Sequence, residues 1–483
     1  MKYMNKIAHI FKSLAGNMRK PYIIFLVIGA IFGLFYLISV PAIGEPDEAQ
    51  HFNRIYQITE GHPFGQIIPG GKGSYLPKAI YSFDNTYSNR MASTTTEHTS
   101  ISNIWNLITK PSTTIINSGT AKKLTHFENT ELYNPVSYTP QAIAMFAAKL
   151  LNFSVPKTFY LVRLAGLTAW LAICAYGIKK MRVFGWAACV LLLTPLSIQI
   201  ASAVSADSMA VAISVLFVGE VVDALATKNV LSRRQLTTLL ITTILLACAK
   251  LPYILLAALL LVLPSYLFKN GKKEMIRYLA ITLATIFIVV IGWTIVAQKG
   301  YTPYRAAVAG VPINQATQEK FMLEHPLSFG RKLSQTYIQN TAYNQDPVLG
   351  YVGQLASLDY YVPGWTVALY FILLSMVFMA LRSGAKIKEY LSVKIKLLSL
   401  GIAILLFVAV NVLVFISWSQ ISFPGIDGIQ SRYFIPVLLP FIFCLLPLYK
   451  KDISLSRTFY ISVPVSLIII QLAAVTAVYN QFL

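Results

Sequence analysis

The sequence predicts an all-α polytopic membrane protein with about 11 transmembrane helices. Three observations predict it. Hydrophobic residues make up 56% of the 483 and charged residues only 12%, whereas a soluble domain carries about 25% charged residues. Apolar runs recur at lengths near the roughly 20 residues that one crossing needs. Between them the basic residues gather in six clusters: Lys2 to Lys20, Lys179 to Arg182, Lys228 to Arg234, Lys269 to Arg277, Arg382 to Lys396 and Lys450 to Arg457. These hold 23 of the 40 Lys and Arg residues against three acids, Glu274, Glu389 and Asp452. Cytoplasmic loops collect Lys and Arg, so the formal charge of +21 reports topology and not a nucleic-acid partner.

Taken in order, residues 1–20 read as a cytoplasmic amphipathic segment and 21–41 as the first transmembrane helix. No small-residue cleavage site follows that run, so it is a span and not a signal peptide. The further spans are 157–178, 183–201, 207–226, 236–249, 252–268, 279–298, 363–381, 397–418, 433–449 and 458–479. They put all six clusters inside, with the N-terminus inside and the C-terminus outside. Residues 42–156 form a first extracytoplasmic domain of short helices and irregular chain, ending in an amphipathic stretch from Gln141 to Phe153 suited to the membrane interface. Helices two to seven occupy 157–298, a second outer loop 299–362, and helices eight to eleven 363–483. Cys174, Cys189, Cys248 and Cys444 all fall in apolar runs with no metal-ligand spacing and read as small core residues.

One pair of spans is short. Only 34 residues separate Arg234 from Lys269, with the turn at "AKLPY". A helix of about 13 residues rises about 20 Å, so Lys250 is expected below the outer surface, in a cavity or at lipid-phosphate depth.

The remaining ionisable residues sort by side. Glu45, Asp47, Glu48, His51, Arg54, Arg163, Asp207, Lys250, Asp359 and Arg432 all belong to outer loops or outer helix ends. The inner face has no phosphate-binding Gly-rich loop and no dinucleotide fingerprint. In "GEPDEAQHFNRIYQ", Pro46 suits a first helical turn, where Asp47 and Glu48 meet the positive end of the helix dipole. Counting from Asp47 along such a helix places His51 and Arg54 on the same face. Arg432, just before the apolar run at Tyr433, suits bidentate capture of a phosphate. Asp207 reads equally as a helix cap, and Asp359 belongs to an interfacial segment rich in Tyr and Trp.

The ordered set "PDEAQHF", "YNPVSYTPQ", "SADS", "AKLPY", "EHPLSF", "GYVGQLASLDYYVPG" and "GIQSRYFIP" resembles a bacterial family of multi-spanning proteins known as a domain of unknown function. That family in turn looks like a branch of the GT-C membrane glycosyltransferases. The resemblance runs from about residue 20 to 450. It implies transfer of one sugar from a polyprenyl-phosphate donor to a surface or cell-wall glycan at the outer leaflet of a bacterial cytoplasmic membrane. An upstream donor synthase and flippase would supply the donor. The catalytic carboxylate then carries over to Asp47, with Glu48 beside it. Glu45, His51, Arg54, Arg163, Asp207, Lys250, Asp359 and Arg432 would bind substrate. Asp47 and Glu48 would also be the ligands of any divalent cation, Mg²⁺ or Mn²⁺; the resemblance leaves metal dependence open. Here Glu45-Pro46 precedes the aspartate and Ala49-Gln50 follows Glu48, where the family often has "PPDEPAHF". A lipid-linked glycan flippase is the rival reading from another class, and a glycan polymerase or ligase the nearer one.

Overall fold

The computed structural model describes residues 19–92, 105–106, 109, 115–116, 122–227, 229–303, 313–338, 349–355, 360–380, 393–444 and 457–482. Asp359 and the leading amphipathic segment at 1–18 lie outside the described residues.

The chain is predominantly helical. Helix α1 (Pro21–Ser39) opens on a proline, tolerated where the first-turn N–H has no partner. A short helix α2 (Glu48–Thr59) follows. Next comes a small antiparallel sheet of Ile67–Ile68, Gly71–Pro77 and Lys122–His126, with Ser74 opposite Thr125. Those strands were not expected; two to seven residues leave too little alternation to read. Helix α3 (Thr139–Leu150) is amphipathic as anticipated, burying Ala144, Met145 and Ala148 and exposing Ile143, Phe146 and Leu150. Then come α4 (Val155–Lys180), α5 (Asp207–Leu225), α6 (Arg233–Ala249) and α7 (Lys272–Gln298). In the 299–362 segment lie α8 (Gln315–Glu324) and α9 (Pro326–Ile338), followed by α10 (Val393–Ser417) and α11 (Arg457–Phe482).

Among the described residues, six helices are long and apolar enough to cross a membrane: α1, α4, α5, α7, α10 and α11, with Leu251–Val262 and Gly364–Ala380 as shorter apolar helices. Three of the expected spans are not continuous α-helices, and prolines stand at the breaks. The 183–201 run splits into Gly185–Leu192 and Pro195–Ala201, because a proline has no N–H for the preceding turn and clashes with it. The 433–449 run begins as the 3₁₀ turns Ser431–Phe434 and Pro436–Leu438. The 252–268 run is a 3₁₀ helix, Leu251–Val262, with Pro252 in its first turn and Pro264 just beyond. At about 2.0 Å per residue its 12 residues extend about 24 Å, further than the same residues in an α-helix. The shortfall in length expected around Lys250 is partly made up in this way.

Helix α5 is deeply enclosed by the rest of the chain, with 89% of its apolar stretch buried. It meets α4 where Gly219 faces Gly177; a Cβ at Gly219 would lie 2.6 Å from the Gly177 carbonyl oxygen. Small residues at such crossings let helix backbones approach. Helix α7 is the opposite case. Only Thr282 and Ala297 are buried along it. Its polar ties are few: Tyr278 donates to the Leu236 carbonyl at 3.0 Å, Trp293 Nε1 to the Leu132 carbonyl at 2.9 Å, and Lys72 Nζ reaches the Ala297 carbonyl at 2.8 Å.

Candidate active site

The chain leaves α1 through "PAIGEPD" and enters α2 at Glu48. Asp47 is not in the helix. Its φ of 63° is left-handed, which costs a non-glycine residue about 1–3 kcal/mol, and its side chain does not cap the helix. This corrects the expectation that Asp47, His51 and Arg54 share one face. Because Asp47 stands outside the helical register, its carboxylate leaves in another direction. Arg54 is instead buried in a separate network, donating to Gln57 Oε1 at 2.5 Å and to the carbonyls of His62 and Pro63 at 3.1 and 2.6 Å.

Freed from the helix, the Asp47 carboxylate meets residues from far along the chain. Arg432 Nη2 lies 3.2 Å from Asp47 Oδ2, and Arg432 Nε lies 3.0 Å from Asp207 Oδ2. Asp207, in the first turn of α5, also pairs with Lys250. Two acids and two cations therefore alternate as Asp47, Arg432, Asp207, Lys250. Their charges cancel, which is how buried charges are normally tolerated. The Lys250 ammonium also sits 4.9 Å from the Tyr133 ring centroid and 4.7 Å from that of Tyr433, so two aromatic faces hold it by cation–π attraction.

This quartet borders a cavity of about 420 Å³. Asp47 and Lys250 line it, with Asn129, Tyr133, Gln430 and Tyr433 around them. Arg432 and Asp207 stand one layer behind, with side chains 6% and 7% exposed against 27% for Asp47. Away from the charges the walls turn apolar. Val290 and Trp293 of α7 form one side, Leu413 and Val414 of α10 the other.

His51 supports the site from beneath. Its Nδ1 is 2.7 Å from the Tyr138 hydroxyl and its ring stacks on Tyr133 with centroids 5.8 Å apart. Burial pulls its pKa down to about 4, so the imidazole is neutral near pH 7 and adds no charge beside Lys250 and Arg432.

Glu48 and Arg163 turn away from the cavity. Arg163 Nε and Nη2 donate to the two Glu48 oxygens at 2.8 and 2.7 Å. Its remaining donors go to the carbonyls of Leu37, Val40 and Pro41 at 3.1, 2.7 and 2.8 Å. A guanidinium has five N–H donors, and all five are used. Arg163, expected at the lipid phosphate, thus has no donor left for it. Glu48 also accepts from the Val204 N–H at 2.9 Å, so it is neither a base nor a metal ligand in this arrangement. With Asp47 engaged by Arg432 and Asn129, the pair cannot jointly hold a divalent cation. Among the described residues, no group of three His, Cys, Asp or Glu side chains is placed to hold a metal. Glu45 is buried against Gln199, which donates to it. Burial raises its pKa to about 8, even though that hydrogen bond acts the other way.

A protein-family model described as "Predicted membrane protein (DUF2142)" matches residues 30–441, which takes in the second half of α1, the quartet and its cavity. The chain belongs to that family. No curated protein and no solved structure matches it. In this DUF2142 chain the quartet is assembled from four widely separated stretches, each of which the sequence had marked. Tyr133, Tyr433, Asn129 and Gln430 went unassigned, although "YNPVSYTPQ" and "GIQSRYFIP" contain three of them. Aromatic and amide residues in loops carry no spacing signal; only their position around Lys250 and Asp47 singles them out.

Proposed function

We propose that this protein is a GT-C-type membrane glycosyltransferase that moves one sugar from a polyprenyl-phosphate donor to a surface or cell-wall glycan. One observation carries the reading: Asp47 and Lys250 open onto the same cavity, whose far walls are the apolar flanks of α7 and α10. A charged head at one end and greasy walls at the other match a lipid phosphate. The proposed setting is the bacterial cytoplasmic membrane, crossed 11 times, with the cavity on the extracytoplasmic side. In that count the six long helices are joined by α6, by Gly364–Ala380 and by the three proline-broken stretches.

In the proposed reaction the donor phosphate binds at Lys250, between the Tyr133 and Tyr433 rings. The acceptor hydroxyl attacks the anomeric carbon while Asp47 takes its proton as general base. The bond from that carbon to the phosphate oxygen breaks, and the phosphate leaves with the electron pair. Lys250 meets the charge that grows there, a preorganised cation of the kind that lowers such barriers. Arg432, hydrogen-bonded to Asp47 and ion-paired with Asp207, orients the base. Attack opposite the leaving group inverts the anomeric centre.

Asp47→Asn should lower transfer by about a hundred- to ten-thousand-fold while the protein still folds. Mass spectrometry of surface polysaccharide from cells carrying either form reads this out as loss of one side-branch sugar. Full retention of that sugar would remove Asp47 from the mechanism. Loss of the whole polymer on deletion of the protein would favour the flippase or polymerase reading.

A further inference from the structure

The cavity carries groups to which the transfer chemistry gives no task. Trp418, just past the end of α10, and Gln430 line it from one loop, and Asn129 lines it from the first outer domain. That loop, residues 418–430, is pinned by the second outer segment. Gln318 of α8 donates to the Ser419 carbonyl at 2.6 Å, and Lys332 of α9 donates to the Phe423 carbonyl. The Ile426 N–H donates to Thr336 Oγ1 of α9 at 2.8 Å. Within the loop, the Asp427 N–H donates to Ser419 Oγ at 3.0 Å. Gly428, at φ 86°, backs the indole so closely that any Cβ there would collide with it. Trp418 and Gln430 are therefore presented by a rigid support. Asn129 Nδ2 donates to Asp47 Oδ1 at 3.3 Å, which sets its amide beside the carboxylate.

An indole plate and planar amides next to a carboxylate suit a molecule with one C–H face and a rim of hydroxyls. The face packs on the aromatic ring, and the hydroxyls both donate to and accept from the amides. A bare phosphate can use only the amide N–H donors and a prenyl chain only the indole face, whereas a sugar uses both together. We infer that Trp418, Gln430 and Asn129 form the subsite for the donor's sugar, a hexopyranose held beside Asp47, and that the 418–430 loop sets which sugar is accepted. This rests on the glycosyltransferase reading and names the substrate class its site recognises.

The test measures binding of polyprenyl monophosphates to the full chain in lipid nanodiscs. The probes are the bare lipid phosphate and the same lipid carrying glucose, galactose, mannose or N-acetylglucosamine. Wild-type protein should bind one sugar-bearing lipid several-fold more tightly than the bare one. Trp418→Ala and Gln430→Ala should each erase that preference while leaving affinity for the bare lipid unchanged, and Trp418→Phe should keep part of it. Unchanged bare-lipid affinity also shows that the variants are folded. If no sugar raises affinity above the bare lipid, or if both alanine variants keep the preference, the subsite is overturned while the lipid-phosphate reading stands. If wild-type protein binds neither lipid, both fail together.

Discussion

Asp47 and Glu48 are neighbours in sequence with opposite fates. Asp47 is left-handed, partly exposed and turned into the cavity; Glu48 is sealed against Arg163. Substitutions should separate them. Arg163→Ala leaves the buried Glu48 carboxylate without its counter-ion and takes a donor from each of three carbonyls, a loss of about 3–5 kcal/mol for a broken buried pair. The expected result is a large drop in yield and melting temperature in detergent. Asp47→Asn should instead leave melting nearly unchanged and remove transfer. Equal thermal behaviour of the two variants would contradict the separation. Glu45 gives a pH signature. Its folded pKa of about 8 lies above the ordinary 4.5, so the native state holds the proton more tightly than the unfolded chain. The stability this contributes is fully present below pH 4.5 and is lost as pH rises through about 8. Glu45→Gln should flatten the fall in melting temperature across that window. Asp84, raised to about 7 by burial, acts in the same sense, so part of the slope should remain.

Elements were legible where composition alone decides them. Among the described residues, each of the six long apolar helices coincides with an expected crossing, because an unbroken apolar run has no cheaper conformation in lipid than a helix. The proline-broken stretches were not foreseen, since hydropathy reads 183–201 as one run although Thr194–Pro195 divides it. The site was legible in part for a related reason. Asp47, Asp207, Lys250 and Arg432 stand out as costly charges at helix ends. The helical register that tied Arg54 to Asp47 failed at one backbone angle, which no spacing reveals. Arg163 looked like a phosphate ligand because the four residues that take its five donors all lie more than a hundred residues away. At this scale the 418–430 loop makes a prediction of its own. Gly428→Ala forces a Cβ into the Trp418 indole at a left-handed position. It should shift Trp418 fluorescence, read against a Trp418→Phe background, and leave overall melting within a few degrees. An unchanged spectrum would mean that the loop does not set the indole.

At the scale of the whole molecule, a heavily enclosed centre contrasts with one nearly bare helix. α5 is wrapped by its neighbours, whereas α7 touches protein over little of its length yet supplies Val290 and Trp293 to the cavity. Protein therefore covers only the inner side of that wall. The outward side, studded with Leu283, Phe287 and Ile288, is left for acyl chains to press against. The surrounding fluid is in effect a missing structural part. Stripping native phospholipid with a harsh surfactant should silence turnover without unfolding α5. Adding back bilayer-forming phospholipid of matching thickness should revive it, whereas short-chain lipid too thin to brace α7 should not.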